Sequence, residues 1–457
     1  MKAKIPTKLK RPQRLRRRLK LKRPLKLRRP PRTKRRLRIK PNISVKRPNA
    51  VIYFIAYTLI YPALKICFRL KVERKGLEIP KGPYIVLTNH FTMLDFLLTM
   101  LPLYPHRLNA VTAQKWFLNK PLNKLLPIVG CIPKNMFDPD LRSIMGMKTV
   151  INRGDGLLLF PEGRCSSSHE YVGMHKSTGK LIKKFGVPVI TSYLEGADIC
   201  LPHWRKGFKC GRIRVTYKNL FTVEDTQSLS IDEINAAIDA RLSGTEGALP
   251  VPAGKPFQTF SSKNLAEGLQ QILYYCPKCS AEFTMVTEGN SIRCTSCGNE
   301  AIMDRYAKLT PTQGSIAEGE ISLWFRDQVR HEMKSLHEDM EPIVLENVKV
   351  RTPSPKPGGG VIESGSGTIE IEPKGWHFSG VLSGEELTIF FPVETIPAIS
   401  YDHNDNFQIY FAGDYYMFTP EDPQKCIKYV IIAEGLHQKF SPNVLMTPGK
   451  NSGFVTG

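Results

Sequence analysis

The chain has 457 residues and a formal net charge of +25, and its length predicts more than one domain. The charge is local, because residues 1–47 hold 23 Lys and Arg and no acid, whereas the rest of the chain has 43 basic and 41 acidic residues. The body of the protein is therefore near neutral, which excludes a protein that is basic throughout.

The first 48 residues form a basic tail of Lys, Arg, Leu and Pro. Repeated proline and mutual repulsion predict disorder, and the composition does not fit a signal peptide. Three interpretations stay open. The tail binds anionic lipid headgroups, at about 1 kcal/mol per basic residue; it contacts nucleic-acid phosphates; or it is a solvated extension.

An apolar segment at 49–70 follows the tail and contains the run VIYFIAYTLIYPALKICF. Since a membrane span needs ~20 apolar residues, this run is marginal for crossing a bilayer. Tyr53, Tyr57 and Tyr61 recur every four residues, as in helices that lie at an interface. We predict a membrane-associated helix, attached from the cytoplasmic side because positive charges precede it; the alternative is an ordinary buried helix.

Strand-length apolar runs then alternate with helical stretches over residues 71–250. This alternation predicts an α/β domain with a parallel or mixed central sheet. Ligands of such sheets bind beyond the carboxyl ends of the strands, and two polar motifs lie there.

The first motif, Asn-His-Phe-Thr-Met-Leu-Asp, begins at Asn89, directly after the strand YIVLT. His90 and Asp95 are five residues apart, so they meet only if His90 lies in the turn before a helix that Asp95 enters. Thr92 as the N-cap would suit that start. Such a pair would make His90 a base for deprotonating a hydroxyl; alternatively, Asp95 only caps the helix.

The second motif is Phe-Pro-Glu-Gly-Arg, which follows the run GLLLF and contains Glu162, Gly163 and Arg164. It places an acid and a base at the rim of the sheet. Arginine suits a phosphate because its planar fork donates two parallel hydrogen bonds. On its own, such a turn is more often a surface salt bridge.

Together these motifs resemble the lysophosphatidic acid (1-acylglycerol-3-phosphate) acyltransferase family of the glycerolipid acyltransferase superfamily. The family's Asn-His-x4-Asp block matches Asn89, His90 and Asp95, and its Phe-Pro-Glu-Gly block matches residues 160–163. Arg164 stands one place earlier than usual, with Cys165 at the common Arg position. A further block matches only partly, and it offers Lys134 as a phosphate-binding cation.

The resemblance implies that His90 removes the acceptor's hydroxyl proton while Asp95 orients the imidazole. The hydroxyl then attacks the thioester of acyl-CoA or acyl-acyl carrier protein, without an acyl-enzyme, so Cys165 is not expected to be a nucleophile. Asn89, Glu162, Gly163 and Arg164, with Lys134, are the expected substrate-binding residues. The resemblance implies no catalytic cofactor and a lysophospholipid acceptor at an anionic membrane surface, on the cytoplasmic face of the cell membrane.

Two Cys-x2-Cys pairs lie at 276–279 and 294–297. This spacing predicts a zinc ribbon in which four thiolates bind a structural zinc ion. A helix at about 264–274 is expected to join it to the α/β domain, and helix and ribbon together span 255–310. Disulfides, which a reducing compartment disfavours, and redox dithiols are the alternatives. The four expected ligands are Cys276, Cys279, Cys294 and Cys297.

The C-terminal part, 317–442, alternates short apolar runs with Gly, Asp, Asn and Pro turns. This pattern predicts a mainly-β domain closed by one helix, followed by a flexible C-terminus at 443–457.

The sequence leaves alternatives for the function. The expected product is phosphatidic acid for phospholipid biosynthesis, and acylation of a different lysophospholipid is the first alternative. A zinc-ribbon protein that binds nucleic acid through its tail, with vestigial acyltransferase blocks, is a further one. Because both blocks are intact at strand ends, we do not expect nucleic acid to be a partner.

Overall fold

The computed structural model describes residues 45–205, 207–244, 259–356 and 359–446. Residues 1–44, 245–258 and 447–457 lie outside these ranges. The predicted disorder of the basic tail and the predicted flexibility of the C-terminus concern residues outside the description.

A seven-stranded mixed sheet forms the centre of the α/β domain, with the strand order β1-β7-β6-β2-β5-β3-β4. All neighbouring strands run parallel except β6 and β7, which are antiparallel. The strands are β1 (Lys71–Glu73), β2 (Tyr84–Thr88), β3 (Leu108–Ala113), β4 (Ile132–Lys134), β5 (Gly156–Leu159), β6 (Val189–Glu195) and β7 (Arg214–Phe221). The predicted mixed α/β fold is confirmed.

Helices connect these strands and cover the sheet, whose central strands β2 and β5 are fully buried. The helices are α1 (Ala50–Cys67), α2 (Asp95–Met100), α3 (Lys115–Leu118), α4 (Lys120–Ile128), α5 (Leu141–Asn152), α6 (Ser177–Phe185), α7 (Ala197–Cys200), α8 (Val223–Ser228) and α9 (Ile231–Leu242). Since β2, β5 and β6 are parallel neighbours, the turns after β2 and β5 meet at one edge of the sheet.

Helix α1 has a π-helical turn over Ala56–Ile60. It is the one helix of the described residues that is long and apolar enough to cross a membrane, and 11% of it is buried, so the buried-helix alternative does not fit. The tyrosines face the protein, which contradicts the prediction that they form a stripe at a membrane interface. The Tyr53 hydroxyl donates to the Met100 carbonyl oxygen at 3.1 Å, and the Tyr57 ring stacks on Tyr104 at 4.2 Å. Aliphatic side chains, among them Leu59 and Ile66, are exposed instead.

The helix predicted before the ribbon is wrong. Over 259–284 the structure has a single 3₁₀ turn, Leu269–Gln271, because Gly268 has φ of +88° and leaves the right-handed helical region. The Leu265 backbone N–H donates instead to the Asn290 side chain at 2.7 Å. The ribbon is an antiparallel sheet in the order β11-β10-β9-β8, with β8 (Met285–Glu288), β9 (Ser291–Cys294), β10 (Glu300–Met303) and β11 (Leu309–Pro311).

Helix α10 (Ile321–Ser335) leads into a second seven-stranded sheet, which is antiparallel and ordered β15-β14-β13-β12-β18-β17-β16. Its strands are β12 (Ile343–Pro353), β13 (Val361–Glu372), β14 (Gly375–Leu382), β15 (Glu385–Pro392), β16 (Ser400–Asp402), β17 (Asn406–Phe411) and β18 (Asp414–Thr419). Aromatic side chains such as Trp376, Phe378 and Phe418 fill its core. The closing helix α11 (Cys426–Phe440) packs on this core, which confirms the predicted mainly-β C-terminal region.

Candidate active site

His90 and Asp95 meet at the carboxyl end of β2. The His90 Nδ1 atom lies 3.0 Å from the Asp95 Oδ2 atom, with the carboxylate fully buried and 20% of the imidazole exposed. Asp95 is the first residue of α2, so His90 lies in the turn before the helix, as expected. Thr92 is not the N-cap, a place that Leu94 takes. Asp95 Oδ2 instead accepts from the backbone N–H groups of Phe91 at 2.6 Å and Thr92 at 2.8 Å.

Burial lowers the pKa of His90, but the Cys165 sulfur and the Asp95 carboxylate raise that pKa more strongly, so it lies well above the ordinary value of 6.5. Because Nδ1 faces the carboxylate, the second ring nitrogen, Nε2, is left to exchange a proton with a ligand.

Glu162 joins the turn after β2, which contains His90, to the loop after β5, which contains Val172. Its Oε1 atom accepts from the His90 backbone N–H at 2.6 Å, and its Oε2 atom accepts from the Val172 backbone N–H at 3.0 Å. Burial raises the pKa of this carboxyl to about 8, although the two backbone donors lower it. Glu162 thus fixes the His90 backbone, and its side chain is fully buried.

Cys165 lies against His90, a contact that the sequence did not reveal. The Cys165 sulfur is 3.5 Å from Nε2 and 3.7 Å from Nδ1 of the imidazole. A sulfur along the lone pair of Nε2 would lie much closer to Nε2 than to Nδ1, because the two nitrogens point to different sides of the ring. The sulfur therefore lies beside the ring, and the direction in which Nε2 accepts a proton is not aimed at the thiol.

Arg164 is nearly buried, and its guanidinium lies 2.5 Å from Glu434 Oε1 on helix α11. The preceding Gly163 has φ of +75°, and a Cβ atom there would lie 3.1 Å from the Phe137 ring and 3.2 Å from the Met136 methyl group. A glycine is therefore required at this turn. The backbone of Gly163, with no side chain, lets the 134–140 loop approach the Pro-Glu-Gly-Arg turn.

Two of the expected substrate-binding residues have other partners. Asn89 is fully buried; its amide donates to the Leu194 carbonyl oxygen at 2.9 Å and accepts from the Leu194 N–H at 2.8 Å. It ties β2 to β6, which is a structural role that differs from the expected substrate contact. Lys134 directs its ammonium group to the carbonyl oxygens of Asn135 at 3.1 Å and Asp138 at 3.5 Å, so it binds its own loop.

The C-terminal region contacts the loop that follows the Pro-Glu-Gly-Arg turn, which sequence reasoning missed. The Ser167 and Tyr401 hydroxyl groups are hydrogen-bonded, and Arg326 of α10 lies 3.3 Å from Glu170. These partners are more than 150 residues apart along the chain, and no spacing in the sequence signals such contacts.

The four predicted zinc ligands form a compact four-cysteine cluster, with all four sulfur atoms within 4.8 Å of one another. The Cys276 and Cys297 sulfurs are 3.7 Å apart, and those of Cys279 and Cys294 are 3.8 Å apart. Disulfides would need about 2.05 Å. Zn–S bonds of about 2.3 Å in a tetrahedron place the sulfurs about 3.8 Å apart, so the four-cysteine cluster fits a tetrahedral metal ion.

Residues 69–195 match the family model described as Acyltransferase. This range begins just before β1 and ends with β6, and it contains His90, Asp95 and the Pro-Glu-Gly-Arg turn. The α/β domain is therefore an acyltransferase domain, which confirms the resemblance seen in the sequence.

Among solved structures, the chain is similar to the 1-acyl-sn-glycerophosphate (LPA) acyltransferase PlsC from Thermotoga maritima. The similarity has 16% sequence identity and a TM-score of 0.36, and it covers 42% of this chain and 78% of that chain.

Proposed function

We propose that the protein transfers a fatty acyl group from acyl-CoA or acyl-acyl carrier protein to the free hydroxyl of 1-acylglycerol-3-phosphate, which gives phosphatidic acid. The observation that carries the proposal is the buried Asp95 carboxylate 3.0 Å from His90 Nδ1, within a domain that matches the Acyltransferase family model. A carboxylate on one ring nitrogen fixes the tautomer in which the other nitrogen accepts a proton.

The reaction then proceeds in one displacement. The acceptor hydroxyl gives its proton to His90 Nε2, and its oxygen attacks the thioester carbonyl carbon. Collapse of the tetrahedral intermediate forms the ester bond and breaks the carbon–sulfur bond, and the departing thiolate takes the proton from His90. Asp95 stabilises the imidazolium between these steps. Cys165 is not needed as a nucleophile, since its sulfur lies beside the ring.

Arg164 is the group that binds the acceptor's phosphate in this proposal. It follows Glu162 and Gly163 in the turn that contacts the His90 backbone. Its planar guanidinium can donate two parallel hydrogen bonds to a phosphate. Glu162 and Gly163 shape the turn through the N–H contacts and the positive φ described above. Lys134 contributes less to phosphate binding, because its ammonium group already donates to a carbonyl oxygen of its own loop.

The four-cysteine cluster is proposed to hold a structural zinc ion, since four protein ligands leave no position for a substrate. The exposed aliphatic face of α1 supports attachment to a membrane, and we place the protein on the cytoplasmic face, with the basic tail against anionic lipids.

The test is acyl transfer by the full chain in vesicles of phosphatidylcholine and phosphatidylglycerol, with radiolabelled acyl-CoA or acyl-acyl carrier protein and a panel of lysophospholipids. We expect labelled phosphatidic acid from lysophosphatidic acid. His90→Ala should lower the rate about 10²- to 10⁴-fold, which is the usual contribution of a general base. His106→Ala is the matched control, because His106 is exposed and lies outside the site.

Two results would contradict the proposal separately. If lysophosphatidic acid is not acylated but another lysophospholipid is, the acceptor is wrong and the acyl transfer stands. If His90→Ala keeps the rate of the His106→Ala protein, His90 is not the base.

A further inference from the structure

The nearly buried ion pair between Arg164 and Glu434 joins the acyltransferase domain to the C-terminal region. The Arg164 side chain is 11% exposed, the Glu434 side chain is 14% exposed, and a guanidinium nitrogen lies 2.5 Å from the carboxylate. The two residues are 270 positions apart. Glu434 is the one acidic residue of α11, whose sequence is CIKYVIIAEGLHQKF. An acid on a helix that is otherwise mostly apolar and basic points to a specific role for this contact.

Glu434 is the charge that balances Arg164. Glu162 is also near, but burial raises its pKa to about 8, so at neutral pH it is mostly uncharged. Its oxygens are also taken by the backbone N–H groups of His90 and Val172. The Glu434 carboxylate therefore occupies the position at which a phosphate would meet the guanidinium.

The cavity beside the pair is small in the conformation described. The cavity lined by Arg164, Glu434, Ser168, Phe325 and Ile431 has a volume of about 20 Å³. That volume holds about one water molecule, which is far less than a glycerol phosphate requires. The C-terminal region must therefore withdraw from Arg164 before a phosphate binds there.

The same loop is tied to the C-terminal region at two more points. Tyr401 forms a hydrogen bond with Ser167, and Arg326 lies 3.3 Å from Glu170. Together with the Arg164–Glu434 pair, these contacts lie along residues 164–170, directly after the turn that holds His90. We call the C-terminal elements that make these three contacts with residues 164–170 the lid.

We propose that Glu434 is a further residue of the acceptor site, one that competes with the acceptor's phosphate for Arg164 and so sets the affinity for the acceptor. This inference rests on the proposed role of Arg164 as the phosphate-binding residue. A lysophospholipid displaces Glu434 when it binds, and the lid reopens and closes with each turnover.

The test compares Glu434→Gln with wild type in the vesicle assay. The amide keeps the shape of the carboxylate and removes its charge, and charge-assisted bonds are about twice as strong as neutral ones. We expect the KM for lysophosphatidic acid to fall about fivefold or more, with kcat and the KM for the acyl donor unchanged. An acceptor KM that stays the same or rises would overturn the inference, because Glu434 would then position Arg164 rather than compete for it.

Glu282→Gln is the matched control. Glu282 pairs with Lys428 of the same helix α11 at 2.5 Å, so its loss weakens the attachment of the helix without touching Arg164. We expect this variant to keep the wild-type acceptor KM. An equal fall in KM for both glutamine variants would show that any loosening of α11 suffices, which would also overturn a specific competition by Glu434.

A second measurement detects opening of the lid and does not depend on enzyme activity. Cys165 is half-buried, contacts His90 and directly follows Arg164, so its rate of labelling by maleimide, mapped by peptide mass spectrometry, should report opening of the lid. Labelling should be faster in Glu434→Gln and, to a smaller extent, in Tyr401→Phe than in wild type or Glu282→Gln. If wild type acylates no lysophosphatidic acid but these labelling rates differ as stated, the proposed acceptor is wrong and the lid stands. Equal labelling rates would refute the lid.

Discussion

Two polar clusters of the described chain differ in the partners of their buried groups. In the rim cluster of His90, Asp95, Glu162 and Arg164, the partners are backbone N–H donors and the Glu434 carboxylate. The four-cysteine cluster brings four sulfurs within 4.8 Å of one another, and backbone N–H groups beside the cysteines and the Thr284 hydroxyl are their other partners. Four thiolates at this distance repel one another, and a bound cation of the kind proposed above would offset that repulsion.

This difference determines how each cluster fails. In the rim cluster, a substitution removes one proton site or one charge, and the neighbouring hydrogen bonds persist. In the four-cysteine cluster, the loss of the ion removes the attraction that holds all four ligands. The three predictions below test this contrast, from the largest expected effect to the smallest.

Removal of the metal should have the largest effect. Structural zinc binding contributes about 10–16 kcal/mol to the folding of small zinc domains, so a strong chelator should unfold β8 to β11 and lower the melting temperature. Because Ile292, Ala301 and Met303 of the ribbon share a core with the acyltransferase domain, the loss should extend to the domain's stability. Calorimetry and hydrogen exchange measure these changes, and elemental analysis should find one zinc ion per chain.

Cys279→Ser should reproduce the chelated state, and Cys210→Ser, an exposed cysteine outside the cluster, should not. If the melting temperature of the metal-free protein equals that of the native protein, the four-cysteine cluster does not depend on an ion, and the contrast with the rim cluster fails.

Asp95→Asn should have the next largest effect, and it should act on activity rather than on folding. The amide oxygen still accepts from Phe91 and Thr92, but the charge that stabilises the imidazolium is gone. We expect kcat to fall about 10²- to 10³-fold. Since Asp95 raises the pKa of His90, its neutralisation lowers that pKa, and the acidic limb of the kcat/KM profile should move to lower pH.

A second His–Asp pair offers the control. His169 Nδ1 lies 2.8 Å from Asp198 Oδ2, and Asp198→Asn should leave the kcat/KM profile in place. If Asp95→Asn lowers kcat without moving the acidic limb, the ionisation seen in the profile does not belong to His90.

The two clusters also differ in how far the sequence predicts them. The four-cysteine cluster has two pairs of ligands, each three residues apart, so its members follow from spacing alone. The contact between His90 and Asp95 can be predicted from the end of one strand, because the turn and the first residue of the next helix are close together in the sequence. The approach of Glu162 to the His90 backbone requires that β2 and β5 are neighbours, which the alternation of strands and helices suggests but does not specify.

The parts that the sequence did not predict are those that depend on distant packing. Glu434 and Tyr401 reach the site only because α11 and β16 pack against the loop after Arg164. The Asn89 side chain was expected to bind substrate, yet an amide at a strand end also completes the hydrogen bonds of a neighbouring strand, as it does with Leu194. The helix expected before the ribbon fails because Gly268 adopts a positive φ, which neither the apolar spacing nor the helix propensity reveals.

Glu162→Gln should have the smallest effect and should change the pH dependence of stability. Burial raises the pKa of Glu162 to about 8, so between its ordinary value of 4.5 and 8 the folded protein holds a proton that the unfolded chain has released. The free energy of unfolding then falls as the pH rises through this range, by a few kcal/mol at most, at about 1.4 kcal/mol per unit of pKa difference. Glutamine resembles the protonated acid, so this decline should flatten in the variant.

Urea unfolding at pH 5, 6.5 and 8 measures the slope, with the exposed Glu78→Gln as the control. At pH 5 the Glu162→Gln protein should lose about 1 kcal/mol, because one backbone N–H meets an amide that cannot accept from it. An unchanged slope would mean that the carboxylate is ionised in the folded protein. The rim cluster and Glu434 would then place three carboxylates (Asp95, Glu162 and Glu434) against His90 and Arg164, and the balance of charge would depend on the protonation of His90.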